Sequence, residues 1–207
     1  DLHLSIRRQR QMCIRDRFLN LFNFMDGIDG ITAIQMISLG FGLSLLSVFG
    51  LVNQSVYSPS IFIVASAFGF LIWNWAPAIV FMGDVGSIPL GYLVGWLLIS
   101  AVVPSSGFGI EATAIVLLPA YYINDSSITI LRSFLSKKNI FQAHREHFYQ
   151  FAVDNGVSHS KICGAVFVVN FILLGAVLMS TKLNAIFSIL MGFTVVTFLL
   201  LWMRGVF

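Results

Sequence analysis

A single carboxylate, Asp84, stands among glycines in the stretch Phe81-Met-Gly83-Asp84-Val-Gly86-Ser87. Glycines leave backbone N–H groups open there, and a helix starting just after them favours phosphate at its N-terminus. Asp84 in that setting suits a magnesium ion held against the same phosphates, because this hard cation takes carboxylate, water and phosphate oxygens. No Gly-Lys-Ser/Thr follows, so the stretch is not a Walker A loop. The plainer alternative is a glycine-rich turn with Ser87 as a cap.

Further carboxylates lie upstream in Asn23-Phe-Met-Asp26-Gly-Ile-Asp29-Gly30. Residues three apart share a helix face, so Asn23, Asp26 and Asp29 fall in phase. One Asp-Gly pair would read as a solvated helix end. Two pairs at this spacing, preceded by an in-phase Asn, argue against that. A carboxylate at the centre of a bilayer costs about 2.5–3.5 kcal/mol, and less near the interface. The third set runs from Arg132 to Gln150 and holds Lys137, Lys138, His144, Arg145 and His147. Its cations suit a pyrophosphate, a nucleotide or anionic headgroups, although topology alone explains the lysines. Two histidines do not establish a metal site. Asp125, seven residues before Arg132, has Asn124, Ser126 and Arg132 as candidate partners. His159 and His3 read as loop residues.

These residues need an apolar scaffold. Of 207 residues, 57% are hydrophobic and 10% charged, against about a quarter charged in soluble domains. An ordinary cytoplasmic globule, a disordered chain, a collagen-like fold and a disulfide-framed fold are excluded. Cys13 and Cys163 form no motif. The expected fold is all-α, a polytopic transmembrane bundle of six spans. These are Ile31–Val52, Ile61–Met82, Ser87–Val103, Ile110–Leu131, Ile162–Met179 and Leu183–Met203. Residues 18–25 read as the end of a seventh. Alternating the spans puts Arg132, Lys137, Lys138, Arg145, Lys161 and Arg204 on one side and only Lys182 on the other. Lys and Arg accumulate on the cytoplasmic side, which places all three sets there. Asp125 then lies about 10 Å up its helix from that side.

In this order and on one side, these stretches resemble the polyprenyl-phosphate N-acetylhexosamine-1-phosphate transferases, the MraY/WecA family. The likeness covers nearly all of residues 18–207 and rests on residues 23–30 and 81–87, Asp125 with Arg132, and the His-containing loop 144–150. It implies transfer of a sugar-1-phosphate from a UDP-N-acetylamino sugar to undecaprenyl phosphate at a bacterial cytoplasmic membrane, releasing UMP. The implied cofactor is Mg²⁺, with Mn²⁺ as a substitute, and Asp84 corresponds to its ligand. Asn23, Asp26 and Asp29 match the motif lining the nucleotide and metal site. Asp26, Asp29 and His147 are the implied catalytic groups, and Asn23, Asp125, Arg132, His144 and Arg145 the substrate-binding ones. The partners are the UDP-sugar, the polyprenyl phosphate and the lipid bilayer, with room for a homodimer and no role for nucleic acid.

Two departures carry information. His147-Phe-Tyr149-Gln150 keeps only the first histidine of the family's His-x-His-His pattern. That form resembles the branch that initiates O-antigen or other surface polysaccharides rather than the branch acting on muramyl-pentapeptide. The family's Asp-Asp pair on an earlier loop occurs nowhere in this chain. A transporter is the rival from another class, but the carboxylates collect at one face and no repeat is visible. Residues 1–17 hold five arginines and no helical pattern, and the remainder carries seven basic and seven acidic residues. They are expected to be a non-native or disordered tail, with 18–207 as the membrane transferase domain. The segment QMCIRDR resembles translated sequencing-adapter read-through, and N-terminal truncation would remove the Asp-Asp loop. The 207-residue chain is therefore expected to be inactive alone, and its source DNA to continue upstream into more spans and that loop. A start codon immediately before Asp1, with full activity of the chain, would contradict this.

Overall fold

The structure, a computed structural model, describes residues 20–102, 109–135 and 147–205. The arginine-rich tail, His144 and Arg145 lie outside them. Among the described residues, residues 20–25 are helical and eight further α-helices follow. They are α1 (Ile31–Val48), α2 (Tyr57–Asn74), entered through a 3-10 turn at Gln54–Val56, and α3 (Gly83–Ser100). Then come α4 (Ile110–Leu117), α5 (Ala120–Leu135), α6 (Phe148–Asp154), α7 (His159–Met179) and α8 (Ala185–Met203).

Among the described residues five helices of 18 to 21 residues are long and apolar enough to cross a membrane, and α4 with α5, bent by 57°, forms either a broken sixth span or a re-entrant loop. The bend lies at Pro119, which has no N–H to donate and whose ring clashes with the preceding turn. Inside the bundle, the Gln35 side-chain amide donates to the Leu118 carbonyl at this break (3.2 Å), and Asn170 of α7 donates to Gln35 Oε1 (2.9 Å). Such interhelical bonds contribute about 0.6–2 kcal/mol in an apolar medium.

α1 is the central helix, packed along α2 and against α7 and buried over most of its length. The outer helices turn apolar side chains outward: Ile72 is 77% and Phe62 70% exposed. Lipid solvates such a surface, and every helix satisfies its own backbone. The all-α polytopic expectation holds.

Several boundaries differ from those expected. The second span ends at Asn74 rather than Met82, because Pro77 forces the chain out of the α region and residues 75–82 form an irregular segment. The third begins at Gly83, so Ser87 lies inside the helix and caps nothing. Asp84 falls in its first turn, where open N–H groups favour a negative side chain. The short helix α6 was not foreseen.

Candidate active site

The helical residues 20–25 end just before Asp26, and the chain turns through residues 28–30 into α1. Gly30 makes that entry with φ +83°, a left-handed conformation that favours glycine. Its N–H donates to Asn74 Oδ1 (2.9 Å), and Asn74 Nδ2 donates to the Val80 carbonyl (2.8 Å). Asn74 thereby ties the aspartate loop to the irregular segment leading to Asp84. Ala78 N–H donates to Asp29 Oδ2 (3.3 Å), and the Ser87 hydroxyl donates to Asn23 Oδ1 (2.8 Å).

The result is a cavity of about 220 Å³ whose lining includes Asn23, Asp26, Asp29, Asn74, Met82 and Asp84. The two aspartate motifs, 55 residues apart from Asp29 to Asp84, meet there. Asp84 is exposed and Asp26 half-buried. Burial pushes the Asp26 carboxyl above the usual range, and a hydrogen bond with Thr32 pulls the other way without offsetting it. A carboxyl raised on folding makes the fold most stable below its unfolded pKa, and that stability is lost as pH rises through the folded value. Asp26→Asn is therefore expected to raise the thermal midpoint at neutral pH, with the gain disappearing at strongly acidic pH. A lower midpoint across the whole pH range would contradict it.

A second cluster forms around Asp125, fully buried on α5. His147 Nδ1 lies 2.8 Å from Asp125 Oδ1, and Phe148 N–H donates to both carboxylate oxygens (3.3 and 3.2 Å). The Thr129 hydroxyl adds a longer bond of 3.4 Å. A carboxylate on Nδ1 fixes the imidazole tautomer and leaves Nε2 as the nitrogen free to meet a substrate. The His147 side chain is 12% exposed. Arg132 lies over the Phe151 ring at 5.4 Å, and its buried Nη1 has no hydrogen-bond partner. An orphaned guanidinium N–H suits an anion.

Tyr149 connects the two clusters. Its ring stacks on His147 (5.6 Å between centroids, 14° between planes), and its hydroxyl donates to the Phe24 carbonyl (3.1 Å). Burial, with Asp125 and Asp26 nearby, pushes its phenol pKa up and keeps it a donor. A side chain at Gly27 would run into this ring, whose Cε2 and Cζ would lie 2.9 Å from the added Cβ. Gln150 accepts from His147 N–H (3.1 Å). The two departures from His-x-His-His thus hold the remaining histidine in place.

Of the residues chosen from the sequence, Asn23, Asp26, Asp29 and Asp84 line one cavity, Asp125 and His147 form the second cluster, and Arg132 lies against Phe151 of α6. His159, read as a loop residue, instead begins α7 with Nδ1 3.2 Å from Asp29 Oδ2. Asn74 and Tyr149 were also missed as site-forming residues, since neither belongs to a periodic pattern. Among the described residues no three His, Cys, Asp or Glu side chains form a closed cation cage.

Residues 14–102 match the family described as glycosyl transferase family 4. The chain is 32% identical over 157 residues to a probable undecaprenyl-phosphate N-acetylglucosaminyl 1-phosphate transferase of Bacillus subtilis, covering 74% of this chain and 42% of that protein. It is 28% identical over 186 residues to a phospho-N-acetylmuramoyl-pentapeptide-transferase of Buchnera aphidicola, covering 80% and 51%. A Staphylococcus carnosus protein of the latter name is 41% identical over 78 residues, covering 37% and 24%. The chain thus spans about half or less of these relatives' lengths.

Proposed function

The chain belongs to glycosyl transferase family 4, the MraY/WecA-like proteins, and on that premise we propose that it serves a polyprenyl-phosphate sugar-1-phosphate transferase. In this reading an N-acetylamino-sugar-1-phosphate passes from a UDP-sugar to undecaprenyl phosphate, and UMP leaves. The observation that carries the reading is the cavity that brings Asn23, Asp26 and Asp29 against Asp84. The face bearing Arg132, Lys161 and Arg204 is taken as cytoplasmic.

The donor set at this cavity fits Mg²⁺. Its carboxylates and carboxamides are hard oxygen donors, and Mg²⁺ usually keeps several waters and takes only one or two carboxylates beside substrate phosphates. An open site without a closed cage suits that habit. Asp84 would be the principal ligand, with Asp26 across the cavity. The ion would neutralise charge on a diphosphate.

The remaining work falls to the chain's own residues. Attack of one phosphate on another is opposed by like charge, so positioning and charge neutralisation dominate such transfers. Asn23, oriented by Ser87, offers its amide to the donor. Arg132 Nη1 offers its N–H to phosphate oxygens, and His147 turns Nε2 toward them, a donor when the ring carries its second proton. Asp125 holds the imidazole fixed while it does so.

The His147-Phe-Tyr-Gln150 form and the relative named for N-acetylglucosaminyl transfer favour an acetamido-sugar donor for O-antigen or another surface polysaccharide. The relatives named for muramoyl-pentapeptide transfer favour the peptidoglycan donor, which stands as the second reading. The test uses the protein as its source DNA encodes it, with Mg²⁺, undecaprenyl phosphate and each UDP-sugar labelled in the sugar. Lipid-linked label from UDP-N-acetylglucosamine alone supports the first donor. Label only from the muramoyl-pentapeptide donor moves the protein to the second, and none from either overturns the proposal.

A further inference from the structure

We propose that His159 is a positioning residue for Asp29, a role that rests on the transferase reading of the cavity. The turn at residues 28–30 has no ladder of its own, and a carboxylate's terminal torsion is soft. Asp29 is therefore oriented by what surrounds it. His159 and Cys163 lie four apart on one face of α7, and both reach this residue. His159 Nδ1 is 3.2 Å from Oδ2, and the Cys163 thiol donates to the Asp29 backbone carbonyl at 3.2 Å. Ala78 N–H approaches the same Oδ2 from the opposite segment. Oδ2 is thus held between them, which leaves Oδ1 for the cavity that Asp29 lines.

The first turn of α7 follows closely on the element carrying His147. α6 runs into α7 through residues 155–158, and Val157 N–H donates back to the Ala152 carbonyl (2.9 Å). The consecutive helices α6 and α7 thus present His147 to Asp125 and His159 to Asp29.

A double-mutant cycle in thermal unfolding of the full chain in detergent tests the contact without any activity. His159→Ala and Asp29→Ala are expected to be non-additive, with the double variant losing less than the sum of the singles. Strict additivity overturns the proposal. The transfer assay tests the positioning role. His159→Ala is expected to lower kcat about tenfold, in the range of residues that orient a ligating group, with KM for the UDP-sugar unchanged. His159→Asn, whose side-chain amide nitrogen takes the place of the ring Nδ1, restores most of it. An unchanged kcat in His159→Ala, or His159→Asn as impaired as His159→Ala, overturns the role. A non-additive unfolding cycle in a protein that transfers nothing supports the contact and overturns the transferase reading instead.

Discussion

Asp84→Asn is expected to abolish transfer while leaving the protein inserted in the membrane. The carboxylate lines the cavity from the first turn of α3, is exposed, and makes no ion pair among the described residues. Its structural worth is limited to its interaction with the helix N-terminus, about 0.3–1 kcal/mol. Asparagine keeps the shape and the place in the first turn but loses the charge a divalent cation needs. Loss of that charge at the diphosphate is expected to cost at least about 100-fold in turnover. Thermal unfolding and membrane fractionation should barely change. Near-normal turnover of Asp84→Asn at low Mg²⁺ would remove Asp84 from the cation site.

His147→Ala is expected to lower turnover by about 100-fold, the typical loss for one electrostatic donor. The imidazole is held by a fully buried carboxylate, stacked on Tyr149 and tethered through its backbone to Gln150. Such fixing suits a group whose Nε2 must meet a phosphate oxygen at a set place. Asp125→Asn is expected to lower turnover as well, and the double variant to be scarcely worse than the worse single, because the pair acts as one unit. Asp125→Ala adds a stability loss of about 1–3 kcal/mol, since it strands the Phe148 N–H. A small effect of His147→Ala on turnover would leave the loop a topological role only.

Much of this arrangement was legible in the sequence, for physical reasons that also mark the limit. Apolar runs report which segments lipid can solvate, and they locate the spans to within a few residues, apart from the second span's end. Asp-Gly pairs and a carboxylate among glycines report groups that an apolar helix would not carry idly, and both motifs line the cavity. Partners set by tertiary packing left no such trace. Cys163 and Asp29 are 134 residues apart, and Tyr149 and Phe24 125. The Asp125–His147 pair spans 22 residues, and both members stood out, but nothing in their spacing joined them. His159 was passed over because Ser158-His159 resembles any loop leading into a helix. The start of α3 was misplaced because glycines were read as loop, whereas Gly83 and Gly86 both lie in its first turns.

The fate of the β-phosphate tests the central claim most directly. UDP-N-acetylglucosamine labelled with ³²P at the β-position is incubated with undecaprenyl phosphate, Mg²⁺ and the protein as its source DNA encodes it. Sugar-1-phosphate transfer carries the label into the lipid fraction and releases unlabelled UMP, and that is the expected result. Label remaining in water as UDP, with sugar alone on the lipid, would contradict it.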